Sequence, residues 1–129
     1  AGIGMLQAFV DLVPGTEVGY FGLERDEETA QARCYYEKVP QFLGEAIVYL
    51  LDPMLATGGS AAMAVEGLLA RGAKDVRLVV IVAAPEGVEL MSRRTPCTEI
   101  YTAALDRGLN ESKYIGPGLG YLGYRLYGT

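Results

Sequence analysis

The chain contains no histidine. That removes the side chain that most often serves as a general base near neutral pH, and with it serine–histidine and cysteine–histidine nucleophilic mechanisms. Cysteine is almost as scarce, with Cys34 and Cys97 making up the whole thiol inventory. One disulfide is the most this count allows. No basic segment precedes the apolar residues at the N-terminus, so no secretory signal is read there and reduced thiols are expected. Without a CxxC spacing or a histidine, zinc is not expected. Long hydrophobic runs are missing too. The longest, Leu78–Pro85, falls far short of the roughly 20 residues of a membrane helix. Basic residues are outnumbered, 11 against 16 acids, for a net charge of −5. That balance argues against nucleic acid, whose binding needs a basic face. A cytoplasmic location is the default expectation. An anionic substrate must be held by local donors, because the overall field repels it.

What remains is an apolar chain of 129 residues, half of them hydrophobic, enough for the core of one compact domain spanning 1–129. Ile3–Val13 carries apolar residues at helical spacing and stops at Pro14-Gly15. Glu17–Leu23 and Ala32–Val39 read as extended segments around the acidic turn Asp26–Glu28, and together suggest a projecting β-arm or flap. Ala46–Leu51 and Val76–Ala83 are continuous apolar runs without alternation, the pattern of parallel strands covered on both faces. Ser60–Arg71 reads as a helix with Ser60 as N-cap and Gly72 just past its end. Pro85-Glu86-Gly87 turns the chain into a helix at Val88–Arg94, and Glu99–Ala104 is the next strand. Strand, helix, strand, helix, strand implies an α/β fold with a parallel sheet and right-handed crossovers. Beyond Leu105 the chain is loop-rich.

The segment Ala46–Ser60, AIVYLLDPMLATGGS, carries the chemistry. A buried strand runs into Asp52, and a short loop delivers Thr57-Gly58-Gly59-Ser60 to a helix start. Ligands in such sheets sit beyond the carboxyl ends of the strands. Asp52, Ala84–Gly87 and Asp106 all fall at that edge. Glycines let backbone N–H groups approach an anion closely, and the helix N-terminus favours negative charge. No lysine follows the glycines, so this is not a Walker A loop. A GxGxxG fingerprint is absent as well. A phosphate or sugar-phosphate site is the favoured reading, and a plain helix entry is the alternative. Glu86 and Glu89 read as acids placed for the dipole of the following helix.

DPMLATGGS resembles the phosphoribosyl-diphosphate loop of the uracil phosphoribosyltransferases. GLERDEET at Gly22–Thr29, VAAPEGVE at Val82–Glu89, IYTAALDRGLNE at Ile100–Glu111 and YIGPGLG at Tyr114–Gly120 are similar to further segments of that family. The resemblance runs the length of the chain. It implies a type I phosphoribosyltransferase-like parallel sheet flanked by helices, and transfer of phosphoribosyl from phosphoribosyl diphosphate to uracil, giving UMP and diphosphate in pyrimidine salvage. Carried over by position, Asp52 engages the ribose hydroxyls. Asp52, Pro53, Met54 and Leu55 lead into Ala56, Thr57, Gly58, Gly59 and Ser60, which cradle the 5-phosphate. Arg25 pairs with the diphosphate. The main chain at Ile115 and at Gly120, Tyr121 and Leu122 reads uracil, with Tyr121 also beside the sugar. Mg2+ is implied, held mainly by substrate oxygens and water. A homo-oligomer paired through the β-arm is implied too.

Two departures accompany the resemblance. The family carries an arginine directly before the AGxGM run, where this chain opens at Ala1. The expectation is that the N-terminal strands and helices of the family fold precede this segment. The family also has aspartates where Tyr121 and Tyr124 stand. A tyrosine supplies no carboxylate, so the second reading is a phosphoribosyl-diphosphate-binding module without turnover.

Overall fold

The computed structural model describes residues 1–26, 28–29, 31–41 and 43–116. Its elements are α1 (Ile3–Leu12), β1 (Tyr20–Arg25), β2 (Ala32–Lys38), a 3-10 turn at Leu43–Glu45, β3 (Ile47–Leu51), β4 (Met54–Leu55), α2 (Gly59–Ala70), β5 (Asp75–Ala83), α3 (Pro85–Arg94), β6 (Glu99–Leu105), β7 (Gly108–Leu109) and β8 (Ile115–Gly116).

The parallel sheet is built on β5, the long apolar strand. β6 pairs along one side of it, from Arg77↔Glu99 to Ala83↔Leu105. The other side is shared by β3, from Ile47↔Asp75 to Leu51↔Val79, and β4, through Met54↔Val82 and Leu55↔Ala83. The register is the same before and after the break, so β3 and β4 are one strand interrupted at Asp52-Pro53. Pro53 has no N–H to give the ladder. Its carbonyl still accepts from Ile81 (3.0 Å) and Val82 (3.1 Å), while Asp52 N–H donates to the Val79 carbonyl (3.1 Å). The interruption frees the Asp52 side chain without ending the strand.

α2 and α3 cover one face of the sheet. Val76, Leu78 and Val80 point into it and meet Ala62, Val65, Leu68 and Met91 in a close-packed core. Small residues on α2 let it lie close to the sheet, and Ala61, Ala62, Ala64, Val65 and Leu68 are all buried. α2 ends in a Schellman motif: Gly72, at φ +96°, donates to Leu69, and Ala73 donates to Leu68. This is the role expected of Gly72. Arg94 clamps α3 to α2 through Glu66, with hydrogen bonds of 2.8 and 2.6 Å.

The expectation of cover on both faces fails for the described residues. On the opposite face Ile47 is 52% exposed, Ile81 42% and Tyr101 48%. α1 approaches it, with Phe9 tilted against Tyr49 at 4.9 Å between ring centroids. The apolar runs encode two covered faces, and among the described residues α2 and α3 pack on one of them. Between α1, the β1–β2 arm and β3 lies an apolar cleft of about 1000 Å³.

The arm is an antiparallel hairpin, with a register shift between Gly22 and Leu23. Its turn is tied by Asp26, whose carboxylate accepts the Thr29 N–H (2.7 Å) and hydroxyl (2.8 Å) and the Glu28 N–H (3.1 Å). Those bonds hold the Asp26 carboxyl below its ordinary range. The arm is fixed to α2 at its base, where Phe21 meets the helix at Gly67 and Glu37 pairs with Arg71. From there it runs back along α2, carrying Arg25 and Ala32 toward the start of that helix.

Candidate active site

The carboxyl ends of β4 and β5 meet the start of α2 around a cavity of about 120 Å³. Arg25, Asp52, Met54, Leu55 and the loop Ala56–Ser60 line it, joined by Ala32 and Ala61. Nearly all of the phosphoribosyl residues predicted from the sequence are therefore brought together. Pro53 does not line the cavity, and Tyr121 lies outside the described residues. Pro53 is buried beneath the cavity, with its carbonyl committed to the sheet.

Asp52 faces the cavity from the break in the strand. Surrounding protein desolvates the carboxylate and raises it above the ordinary aspartate value, and a hydrogen bond from the Met54 N–H, at 3.4 Å, pulls the other way. Arg25 is exposed at the end of β1 and makes no ion pair among the described residues. Among the described residues it is the one cation lining the cavity. A desolvated acid and an unpaired guanidinium flank a loop of backbone donors, which suits a ligand with hydroxyls on one side and phosphate on the other.

The loop owes its shape to two glycines. Gly58, not Ser60, is the N-cap of α2. It sits at φ +84°, in the left-handed region open to glycine, and no side chain caps the helix. Ser60 is the second residue of the helix. The first N–H groups of α2 have no intrahelical acceptors by geometry, and they open toward the cavity. Gly87, in the first turn of α3, packs directly beneath. A Cβ there would stand 2.5 Å from the Ala56 carbonyl oxygen, and a Cβ on Gly58 would stand 2.9 Å from the Gly87 carbonyl oxygen. α3 begins at Pro85, not at Val88, because proline is tolerated at the first helical position.

Ile115 is buried in β8 and does not line this cavity. It pairs with Leu109 in a short hairpin that follows β6 at the same edge of the sheet. Gly120, Tyr121, Leu122 and Tyr124 lie outside the described residues. Among the described residues no three acidic, cysteine or histidine side chains converge as a metal site. The contacts of Glu86 and Gly87 were not anticipated from the sequence. The signal was the PEG triplet directly after a buried strand, at the same edge as Asp52.

Fold and site together define an α/β domain of the type I phosphoribosyltransferase kind. Comparison with known proteins sharpens this. The uracil phosphoribosyltransferase family profile matches residues 1–129. Uracil phosphoribosyltransferases of Levilactobacillus brevis and Acinetobacter baylyi are 51% and 50% identical over all 129 residues. Among solved structures, the AQ2163 protein of Aquifex aeolicus superposes with a TM-score of 0.95 at 40% identity, over 98% of this chain and 61% of that one. The chain belongs to the uracil phosphoribosyltransferase family. It spans 62% of the length of the Levilactobacillus relative and 61% of the Acinetobacter one.

Proposed function

We propose that this chain forms the phosphoribosyl-diphosphate site of a uracil phosphoribosyltransferase that makes UMP and diphosphate. One observation carries the reading: Arg25, Asp52 and the donors of Ala56–Ser60 share one small cavity. In the proposed reaction the bond from ribose C1 to the diphosphate oxygen breaks, the bond from C1 to uracil N1 forms, and the N1 proton leaves to water. Charge builds at the ribose ring and on the leaving diphosphate, so placement and electrostatics do most of the work. Asp52 holds the ribose hydroxyls and puts a negative charge near the developing oxocarbenium. The loop fixes the 5-phosphate, and Arg25 takes up charge on the diphosphate. Main-chain groups at Ile115 and at Gly120–Leu122 read the uracil edge. None of these roles needs a histidine.

Mg2+ bound to the diphosphate would neutralise its charge. The Asp52 carboxylate, the one acid lining the cavity among the described residues, suits a cation held mostly by substrate oxygens and water. We further propose that residues 1–129 act as one domain, that the enzyme works in the cytoplasm, and that it assembles as a homo-oligomer through the arm. Among the described residues no helix is long and apolar enough to cross a membrane.

The test is labelled UMP formation from labelled uracil, phosphoribosyl diphosphate and Mg2+, with calorimetry of the diphosphate substrate alongside. Turnover supports the enzyme. Binding without turnover supports the second reading, a module disabled by Tyr121 and Tyr124. Absence of binding sinks both.

A further inference from the structure

The acid at the start of α3 does more than complement the helix dipole. Its carboxylate Oε1 accepts the backbone N–H of Leu109 at 3.0 Å. Leu109 lies across from Ile115 in the β7–β8 hairpin, with Gly108 opposite Gly116. The hairpin comes very close: a Cβ on Gly108, which has φ +158°, would stand 3.0 Å from the same Glu86 oxygen. The neighbouring residue, Gly87, presses on the other half of the site, against the Ala56 and Leu55 carbonyls. Two consecutive residues of α3 thus touch the phosphate loop and the hairpin that bears Ile115.

We propose that Glu86 is a positioning residue that fixes the base-reading hairpin at a set distance from the phosphate loop. This rests on the reading of the hairpin's Ile115 as part of the uracil site. The two ends of UMP are joined by a ribose of fixed size, so their sites must keep a fixed separation. The phosphate loop is held by the sheet and by Gly87. The hairpin is tied separately. It continues from β6 through the Asp106 N–H bond to Ala83 (2.9 Å), closes on itself through the Asn110 N–H bond to Tyr114 (2.8 Å), and buries Ile115. Through Leu109, Glu86 joins the hairpin to the helix packed under the loop. Hydrogen bonding from Leu109 also keeps the Glu86 carboxyl below its ordinary value, so it remains an ionised acceptor through the neutral range.

The test compares Glu86→Ala with Glu86→Gln, which keeps an acceptor oxygen. Amide exchange at Leu109 is measured without ligand, and affinities for UMP and ribose 5-phosphate are measured by calorimetry. Glu86→Ala should speed exchange at Leu109 by about tenfold as the hairpin loosens. It should weaken UMP by roughly fivefold while ribose 5-phosphate stays within about twofold, because only one end of UMP loses its place. Glu86→Gln should restore most of both effects. Unchanged exchange at Leu109 overturns the proposal, and so does equal weakening of the two ligands. A wild-type chain that binds ribose 5-phosphate but gains nothing from the uracil of UMP, while Glu86→Ala still speeds exchange, overturns the uracil-site reading and supports the clamp itself.

Discussion

Gly87→Ala puts one methyl group into the tightest contact at the site. The new Cβ would lie 2.5 Å from the Ala56 carbonyl oxygen, against an ordinary contact of 3.4 Å or more, so about 0.9 Å must be found. The neighbours on that side are the Ala56 and Leu55 carbonyls and Leu55 Cγ. Leu55 is 1% exposed and its carbonyl already accepts from Ala84, so the yielding part is the loop from Ala56 onward. Two effects on stability oppose each other. Forcing a close-packed contact costs about 1–3 kcal/mol, and replacing glycine by alanine within a helix returns up to about 1 kcal/mol. The net loss should be about 0–2 kcal/mol. Binding should suffer more, because each charge-assisted hydrogen bond from the cradle to phosphate contributes about 1.5–3 kcal/mol and a shift near 1 Å disables at least one. Ribose 5-phosphate affinity should therefore fall by about 10- to 150-fold. Calorimetry reads the affinity and thermal melting reads the fold. Gly67→Ala is the control, since a Cβ there meets Phe21 at an ordinary 3.5 Å and should leave affinity unchanged. A Gly87→Ala chain that melts like wild type and binds ribose 5-phosphate equally well would refute the argument that α3 sets the shape of the loop.

Other changes probe the two charges and the altered base region. Asp52→Asn should abolish ribose 5-phosphate binding yet stabilise the fold at neutral pH. Burial raises the folded carboxyl above its unfolded value near 3.8, so ionising it costs the folded state as pH rises through that window. The gain in melting temperature over wild type should be present at pH 7 and vanish at or below pH 3.8, and a gain that persists in acid would show that desolvation is not its cause. Arg25→Gln should weaken phosphoribosyl diphosphate by about tenfold at low salt, with ribose 5-phosphate little changed and the gap closing as salt is added. Equal loss for both ligands would move Arg25 off the diphosphate. Tyr121→Asp should raise UMP formation severalfold if that tyrosine has displaced a working carboxylate, and an unchanged rate would clear it.

Much of the fold was legible because its strongest elements write themselves in hydrophobicity. β5 and β6 fall within a residue of the expected strands, and Gly72 closes α2 as expected. The remainder depended on facts that composition does not carry. Thr57-Gly58-Gly59-Ser60 holds two glycines and two hydroxyls, and only the backbone shows that Gly58 makes the left-handed turn and leaves Ser60 inside the helix. β4 is two residues long and survives because it inherits the register of β3 across Pro53. The site was legible where its residues are consecutive, from Asp52 to Ser60. It was not legible where partners are distant, as with Glu86 and Leu109, 23 residues apart. Reading apolar strands as covered on both faces identified what those strands are suited to. It could not say how much of the cover this stretch of chain provides.

The more exposed face of the sheet also carries charge. Arg77 sits on β5 between Ile47–Leu51 and Glu99–Leu105 and forks onto Asp75 at 3.1 and 3.0 Å. Glu99 is 4.0 Å away and the Tyr49 ring lies 5.8 Å below its guanidinium. The Asp75 bond raises the arginine's already high pKa further, so it is charged at every working pH. Stacking two such faces would drag a permanent charge and its acids out of water along with the apolar side chains. Any cover of this face must therefore accommodate the Arg77 ion pair as well as the apolar side chains.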